Sequence, residues 1–172
     1  ERMPGWQASF VATGQHRELG EQMLADLGVG ITHSLDLMTA GQTPAGFLAT
    51  ALGALDPLLR DLRPDWIAVQ GDTTTALAGA IAGFYARIPV LHVEAGLRTH
   101  NLALPFPEEG HRQLVSRVAS AHAAPTAEAA RCLEREAVPG ERVLVAGNTG
   151  IDCLMEMSRR LQGRTAPPAG LP

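Results

Sequence analysis

Two apolar runs, residues 66–69 and 90–93, each stop at a glycine-containing turn that carries a carboxylate, Gly71-Asp72 after the first and Glu94-Ala95-Gly96 after the second. Between them, residues 73–86 are small and helix-compatible, rich in Ala and Gly. Strand, helix and strand in this order build a parallel pair, because parallel strands need a long crossover and a helix supplies it. Both carboxylates then fall at the carboxyl ends of their strands. That edge of an open parallel sheet is where ligands bind. A third acidic point, Glu108 with Glu109, opens a helix after the proline-rich loop 96–107 and can fold back over the same edge.

The alternation extends along the whole chain. Residues 7–12 read as a strand, 16–27 as a helix stopped by Gly28 and Gly30, and 31–38 as a second strand by its apolar–polar alternation. Thr43-Pro44 is a helix start, and the stripe Phe47, Leu48, Leu52, Leu55, Leu59, Leu62 continues in register through Pro57, which should kink the helix without ending it. Helices are expected over 108–120, from Thr126 as cap to 137, and over 150–161. A short apolar segment spans 121–124 and a last strand 142–146. The predicted fold is α/β, a doubly wound, Rossmann-like parallel sheet with right-handed crossovers.

The charge balance of 14 basic against 18 acidic residues, a formal net charge of −4 without like-charge blocks, gives no electrostatic footprint for nucleic acid or for a polybasic membrane contact. No window of about 20 apolar residues exists to span a membrane. Cys132 and Cys153 stand apart in helical segments, which fits a reduced, cytoplasmic setting. The start at Glu1 carries no basic, apolar leader and suggests that residues upstream are missing. No HExxH or paired CxxC spacing points to a metal, and no G-x-S-x-G elbow to a serine nucleophile.

Each candidate residue has a functional and a structural reading. Gly71 before a helix start leaves backbone N–H groups and a positive helix end at the site, suited to an anion or a sugar oxygen, while Asp72 could equally cap that helix. Strand alternation puts His92 on the face of Glu94, and Arg98 is close enough beyond the turn to pair with Glu94 as a structural ion pair. Crowding of Asp72 and Glu94 would split their pKa values into acid and base roles. Glu108 and Glu109 stabilise a helix N-terminus with or without function; about 100° apart on the helix, only one of them faces a site.

Taken together, Gly-Asp-Thr-Thr-Thr (71–75), His-Val-Glu-Ala-Gly-Leu-Arg-Thr (92–99), Pro-Phe-Pro-Glu-Glu-x-x-Arg (105–112), Ala-Pro-Thr (124–126) and Gly-Asn-Thr-x-Ile-Asp (147–152) resemble the non-hydrolysing UDP-N-acetylglucosamine 2-epimerases of bacteria. Thr-Gly-Gln-His-Arg (13–17) is similar to that family's Ala-Gln-His-Arg segment. The resemblance implies one half of a glycosyltransferase-B-like, two-domain enzyme that interconverts UDP-GlcNAc and UDP-ManNAc. The implied route is anti elimination of UDP to 2-acetamidoglucal and re-addition.

By motif, the resemblance implies Asp72, Glu94 and Glu108 as catalytic. Gly71, Thr73, His92, Arg98, Arg112 and Asn148 are implied at the substrate, and Gln15 with Glu108 at a regulatory UDP-GlcNAc. It implies no cofactor and no metal, a UDP-sugar as partner, and a homodimer at full length. Departures from the family pattern are His111 where Asn is usual, and Glu18 and Gly41 where some members carry a regulatory Gln and Arg. The family's first central strand, ending Gly-Thr-Arg-Pro-Glu, has no counterpart before Pro4. Residues 1–162 are therefore expected to form an N-terminal domain lacking that strand, and 163–172 the start of a linker. Such a chain alone is expected to be inactive. The alternatives are a hydrolysing relative that releases ManNAc and UDP, and a non-catalytic UDP-sugar-binding module.

Overall fold

The computed structural model of the chain describes residues 5–14, 24, 25 and 27–162. Strands β3 (Ile67–Gln70), β4 (Val90–Val93), β5 (Ala121–Ala124) and β6 (Val143–Val145) form a four-stranded parallel sheet in that order. Register runs Gln70 opposite Val93 and His92 opposite His122. A separate parallel pair, β1 (Val11–Ala12) and β2 (His33–Ser34), matches Val11 with His33.

Both strands of that pair are shorter than the alternation in sequence predicts. The Phe10 carbonyl accepts from Thr32 N–H and His33 N–H together, at 2.9 and 3.1 Å, while Phe10 N–H turns to the Thr32 hydroxyl at 3.0 Å. A side chain thus takes the place of a ladder partner, and Asp36 at φ 46° ends the extended backbone. The helix expected over 16–27, the residues Gln15 and Glu18, and the linker 163–172 lie for the most part or wholly outside the described residues.

Helix α1 (Pro44–Leu62) is capped by the Thr43 hydroxyl on Gly46 N–H at 3.1 Å and runs through Pro57 to a left-handed Arg63. Its stripe Phe47, Ala51, Leu55 and Leu59, four residues apart, buries against Ala78 and Ala82 of α2 (Thr74–Tyr85). Helix α2 in turn lies on β3 and β4 through Ala76, Leu77 and Ala80 against Val69 and Val90. It can do so because its side chains are small. A Cβ on Gly83 would come 2.6 Å from Val90 Cγ2, so only glycine permits this approach.

Helix α3 (Glu108–Val118) packs beside α2 and stops two residues earlier than its sequence suggests, because Ser120 leaves to bond the start of β4. Ser120 N–H donates to the Val90 carbonyl at 2.8 Å, and Val90 N–H reaches the Ser120 hydroxyl at 3.3 Å. Helix α4 (Ala127–Arg135), capped by Thr126, seats Leu133 on Ala95 and Val138. Helix α5 (Thr149–Leu161) follows β6 and has no buried residue. Its N-terminus reaches β3, where Gln70 Nε2 donates to the Thr149 hydroxyl at 3.2 Å.

Candidate active site

The two acid-bearing turns meet at the carboxyl edge of β3 and β4. Gly71 adopts φ 72° and donates its N–H to the Val93 carbonyl at 3.1 Å, which leaves Asp72 at the rim of the sheet. The cap of α2 is Thr73, whose hydroxyl accepts from Ala76 N–H at 3.2 Å. Asp72 is therefore not the cap, and its side chain serves elsewhere. Across the turn Glu94 sits at φ 65°, a left-handed conformation that costs a glutamate about 1 kcal/mol or more. Ladder bonds on both sides impose it: Val93 O takes Gly71 N–H, and Ala95 N–H reaches Ala123 O at 3.0 Å. A Cβ built on Gly71 would lie 3.9 Å from Glu94 Oε2, so the second carboxylate stands directly against the first turn.

Helix α3 docks on this edge. Arg112 Nε donates to Asp72 Oδ2 at 2.8 Å, and His111 Nδ1 meets the Asp72 carbonyl at 2.8 Å. A carbonyl only accepts, so His111 carries its proton on Nδ1. Glu108 opens α3 one turn before His111 and Arg112, on the face that meets Asp72. Of the adjacent pair, Glu109 points inward and is fully buried, whereas Glu108 remains half-buried. Asp72 and Glu94 thus share one edge of the sheet, and α3, whose first residue is Glu108, docks on it through Arg112 and His111. Asn148 joins them as cap of α5, its Oδ1 accepting from Gly150 N–H at 2.8 Å.

His92 and Arg98 lie beneath this edge. Glu94 follows the end of β4 in a left-handed turn, and its carboxylate and the His92 ring both reach the Gly71 turn. His92 is fully buried and donates from Nε2 to the Gly71 carbonyl at 2.9 Å, supporting the turn from below. Burial pushes its pKa down, only partly opposed by that bond, so the ring stays neutral with Nδ1 buried and unpartnered. Its neighbour His122, with ring centroids 6.3 Å apart, is lowered to about 4 by burial, with His92, Arg98 and Arg142 adding to the effect.

The expected Arg98–Glu94 pair is not formed. Arg98 is held by Glu136 at 2.7 and 2.9 Å and by the Ser116 hydroxyl at 2.9 Å, and its side chain is fully buried. It ties α3 to the end of α4. Glu136 is held below the usual carboxylate range, chiefly by its hydrogen bonds from Arg98, which outweigh burial.

Glu109, by sequence an ordinary helix-start acid, is buried beside these residues. Its carboxylate accepts from Thr99 N–H, His100 N–H, Gln113 Nε2 and an Arg112 terminal nitrogen at 3.0 to 3.1 Å. Burial pushes its pKa up, but the bonds from Thr99, Gln113, His100 and Arg112 together outweigh it and hold the group ionised. The i, i+3 and i, i+4 spacing to Arg112 and Gln113 was the one sequence signal for this role. Among the described residues, no three His, Cys, Asp or Glu side chains are placed to hold a metal, and no helix is long and apolar enough to cross a membrane.

A parallel sheet with helices between its strands has the form of one Rossmann-like half of the glycosyltransferase-B-like fold. The fold likeness extends to MurG of Acinetobacter baumannii, at a TM-score of 0.57 and 20% identity over 84% of this chain and 37% of that one. Residues 1–169 match the family described as UDP-N-acetylglucosamine 2-epimerase, and the chain belongs to that family. The UDP-N-acetylglucosamine 2-epimerase of Salmonella typhimurium is 43% identical over 161 residues, covering 94% of this chain and 43% of the relative. A crystal structure of the Neisseria meningitidis epimerase bound to UDP-GlcNAc superimposes with a TM-score of 0.92 at 38% identity, over 95% of this chain and 44% of that one. The Methanocaldococcus jannaschii enzyme in complex with UDP-GlcNAc and UDP matches with a TM-score of 0.83 at 30% identity, over 90% and 42%. This chain therefore spans about two-fifths of the length of the relatives it matches.

Proposed function

We propose that the chain is the N-terminal half of an enzyme that interconverts UDP-GlcNAc and UDP-ManNAc at C2. Residues 1–162 form this half, and 163–172 lead toward the second. The reading is supported by one observation: Asp72 and Glu94 end neighbouring parallel strands, and α3, which Glu108 opens, is tied to the same edge by Arg112. Neighbours of similar fold whose structures hold UDP-GlcNAc and UDP support the substrate class.

The reaction suits carboxylates. One takes the proton from C2 while the C1–O bond to UDP breaks, giving 2-acetamidoglucal and UDP. After the glucal has been repositioned, UDP re-adds at C1 and a carboxylic acid returns a proton to the opposite face of C2. The N-termini of α2 and α3 supply positive helix ends toward the departing diphosphate. Gly71, Thr73, Arg112 and Asn148 stand at the edge where the substrate would lie; His92 and Arg98 act from below, on the turn and on α3. In this reading Glu108, with Gln15, also serves a regulatory UDP-GlcNAc. The enzyme works as a cytoplasmic homodimer, and the chain by itself is inactive because the relatives' remaining length completes the nucleotide site.

The test is turnover of UDP-GlcNAc by the full-length protein in D₂O. Deuterium at C2 of a UDP-sugar mixture is expected; free ManNAc with UDP would indicate the hydrolysing relative, and no exchange would overturn both. Asp72→Asn or Glu94→Gln should lower turnover on the order of 10²- to 10⁴-fold while UDP binding is retained. Unchanged turnover in both variants would overturn the assignment of these two acids, and UDP binding without any turnover in the wild-type protein would favour a binding module.

A further inference from the structure

Among the described residues Glu109 is the one acid that is fully buried. An ionised carboxylate offers about four acceptor directions, and here all are in use. Oε1 takes His100 N–H at 3.1 Å and Gln113 Nε2 at 3.0 Å; Oε2 takes Thr99 N–H at 3.0 Å and Arg112 at 3.1 Å. A group so filled and so deep has no capacity left for a sugar or a proton in flight. Its partners, however, are parts of the site. Thr99 and His100 begin the long loop that leaves the Glu94 turn and leads to α3. Arg112 passes from Glu109 directly to Asp72, at 2.8 Å. His111, between them in sequence, takes the backbone of the same aspartate.

The arrangement is a chain of contacts: loop amides, Glu109, Arg112, Asp72. Glu109 also sets how α3 is rotated about its axis, because its burial fixes which face of the first turn points inward. Glu108, one residue earlier and about 100° around the helix, is then aimed by default. Arg112 projects between the two, at i+4 from Glu108 and i+3 from Glu109.

We propose that Glu109 is a positioning residue for the acid site, holding loop 99–100 and Arg112 at once and thereby setting where Asp72 and Glu108 stand. This rests on the reading above that those two acids act on the sugar.

Two measurements separate the proposal from that reading. In the full-length protein, Glu109→Gln should lower kcat for C2 deuterium incorporation roughly 10- to 100-fold, with KM for UDP-GlcNAc changed less than about threefold, as expected for misplacement near the reacting atoms. Arg112→Lys keeps the charge but loses the fork that spans two carboxylates. It should lower kcat similarly, and the double variant should be no worse than the more severe single. Additive losses, an unchanged kcat, or a KM that rises in step with any fall in kcat would overturn the proposal. If Glu109→Gln does not fold, Glu109→Asp, which keeps the charge but draws it back by one methylene, decides by the same split of kcat from KM.

The second measurement needs no turnover. The Arg112 Nε–H resonance should be protected from exchange in the wild-type protein and should shift and lose protection in Glu109→Gln. An unmoved, protected signal would refute the positioning role. If the wild-type enzyme incorporates no deuterium, the epimerase reading falls, and this resonance still tests whether Glu109 holds Arg112.

Discussion

Gly96 carries the tightest contact beside the site, and replacing it by alanine tests the packing on which Glu94 depends. It adopts φ 89°, and a Cβ there would lie 2.2 Å from the Ala129 carbonyl oxygen, 2.7 Å from its carbon and 3.1 Å from Leu133 Cγ. The first two atoms are backbone in the first turn of α4, which cannot swing aside like a side-chain tip. The left-handed conformation costs an alanine about 1–2 kcal/mol, and forcing a methyl into a filled space adds roughly 1–3. A destabilisation of about 2–5 kcal/mol follows, a drop in Tm on the order of 10 °C for a chain of this size. The control is Gly53→Ala, in the exposed middle of α1 with nothing within 4 Å of its Cβ. Relief of backbone entropy should make that variant more stable by about 0.5–1 kcal/mol. Thermal and urea unfolding of the three proteins side by side give the measurement. A Gly96→Ala protein as stable as wild type, or shifted no further than the control, would show that the contact between the Glu94 turn and α4 is not as close as described.

Acidification should weaken the fold through the buried histidines His92 and His122. His122 is neutral when folded, at about 4, against about 6.5 when unfolded, so the unfolded chain binds the extra proton and stability falls as pH drops from 6.5 toward 4. Between pH 7 and 5 the loss is roughly 2 kcal/mol from this residue, His92 acting in the same direction, and His122→Leu should flatten the urea-unfolding pH profile over that range. Glu109 and Glu136, both held low, add their losses as pH falls from the usual carboxylate range downward, where the unfolded chain takes up protons that the folded one refuses. Arg98→Met should cost about 3 kcal/mol in denaturant unfolding, since Glu136 and the Ser116 hydroxyl lose a fully buried donor; Arg98→Lys should recover only part, lacking the fork. Thr43→Ala should cost about 1 kcal/mol through loss of the α1 cap and leave UDP-sugar turnover of the full-length protein unaltered.

Local chemistry made the element order legible. The caps at Thr43 and Thr126, the α1 stripe through Pro57, the small-residue helix α2 and the two apolar runs of β3 and β4 all act within a few residues of chain. The strand ends before Asp72 and Glu94 and the helix start at Glu108 were legible for the same reason. Partner choice across the sheet was not legible. Arg98 goes to Glu136, 38 residues away, instead of to Glu94, and Gln70 bonds Thr149 across 79 residues. Glu109 looked like an ordinary first-turn acid until the loop folded back to present two amides to it. Periodicity and capping are properties of neighbouring residues and survive in the linear text. The pairing of buried charges is decided by which distant groups the packed helices leave within about 3 Å, and only the folded chain contains that distance.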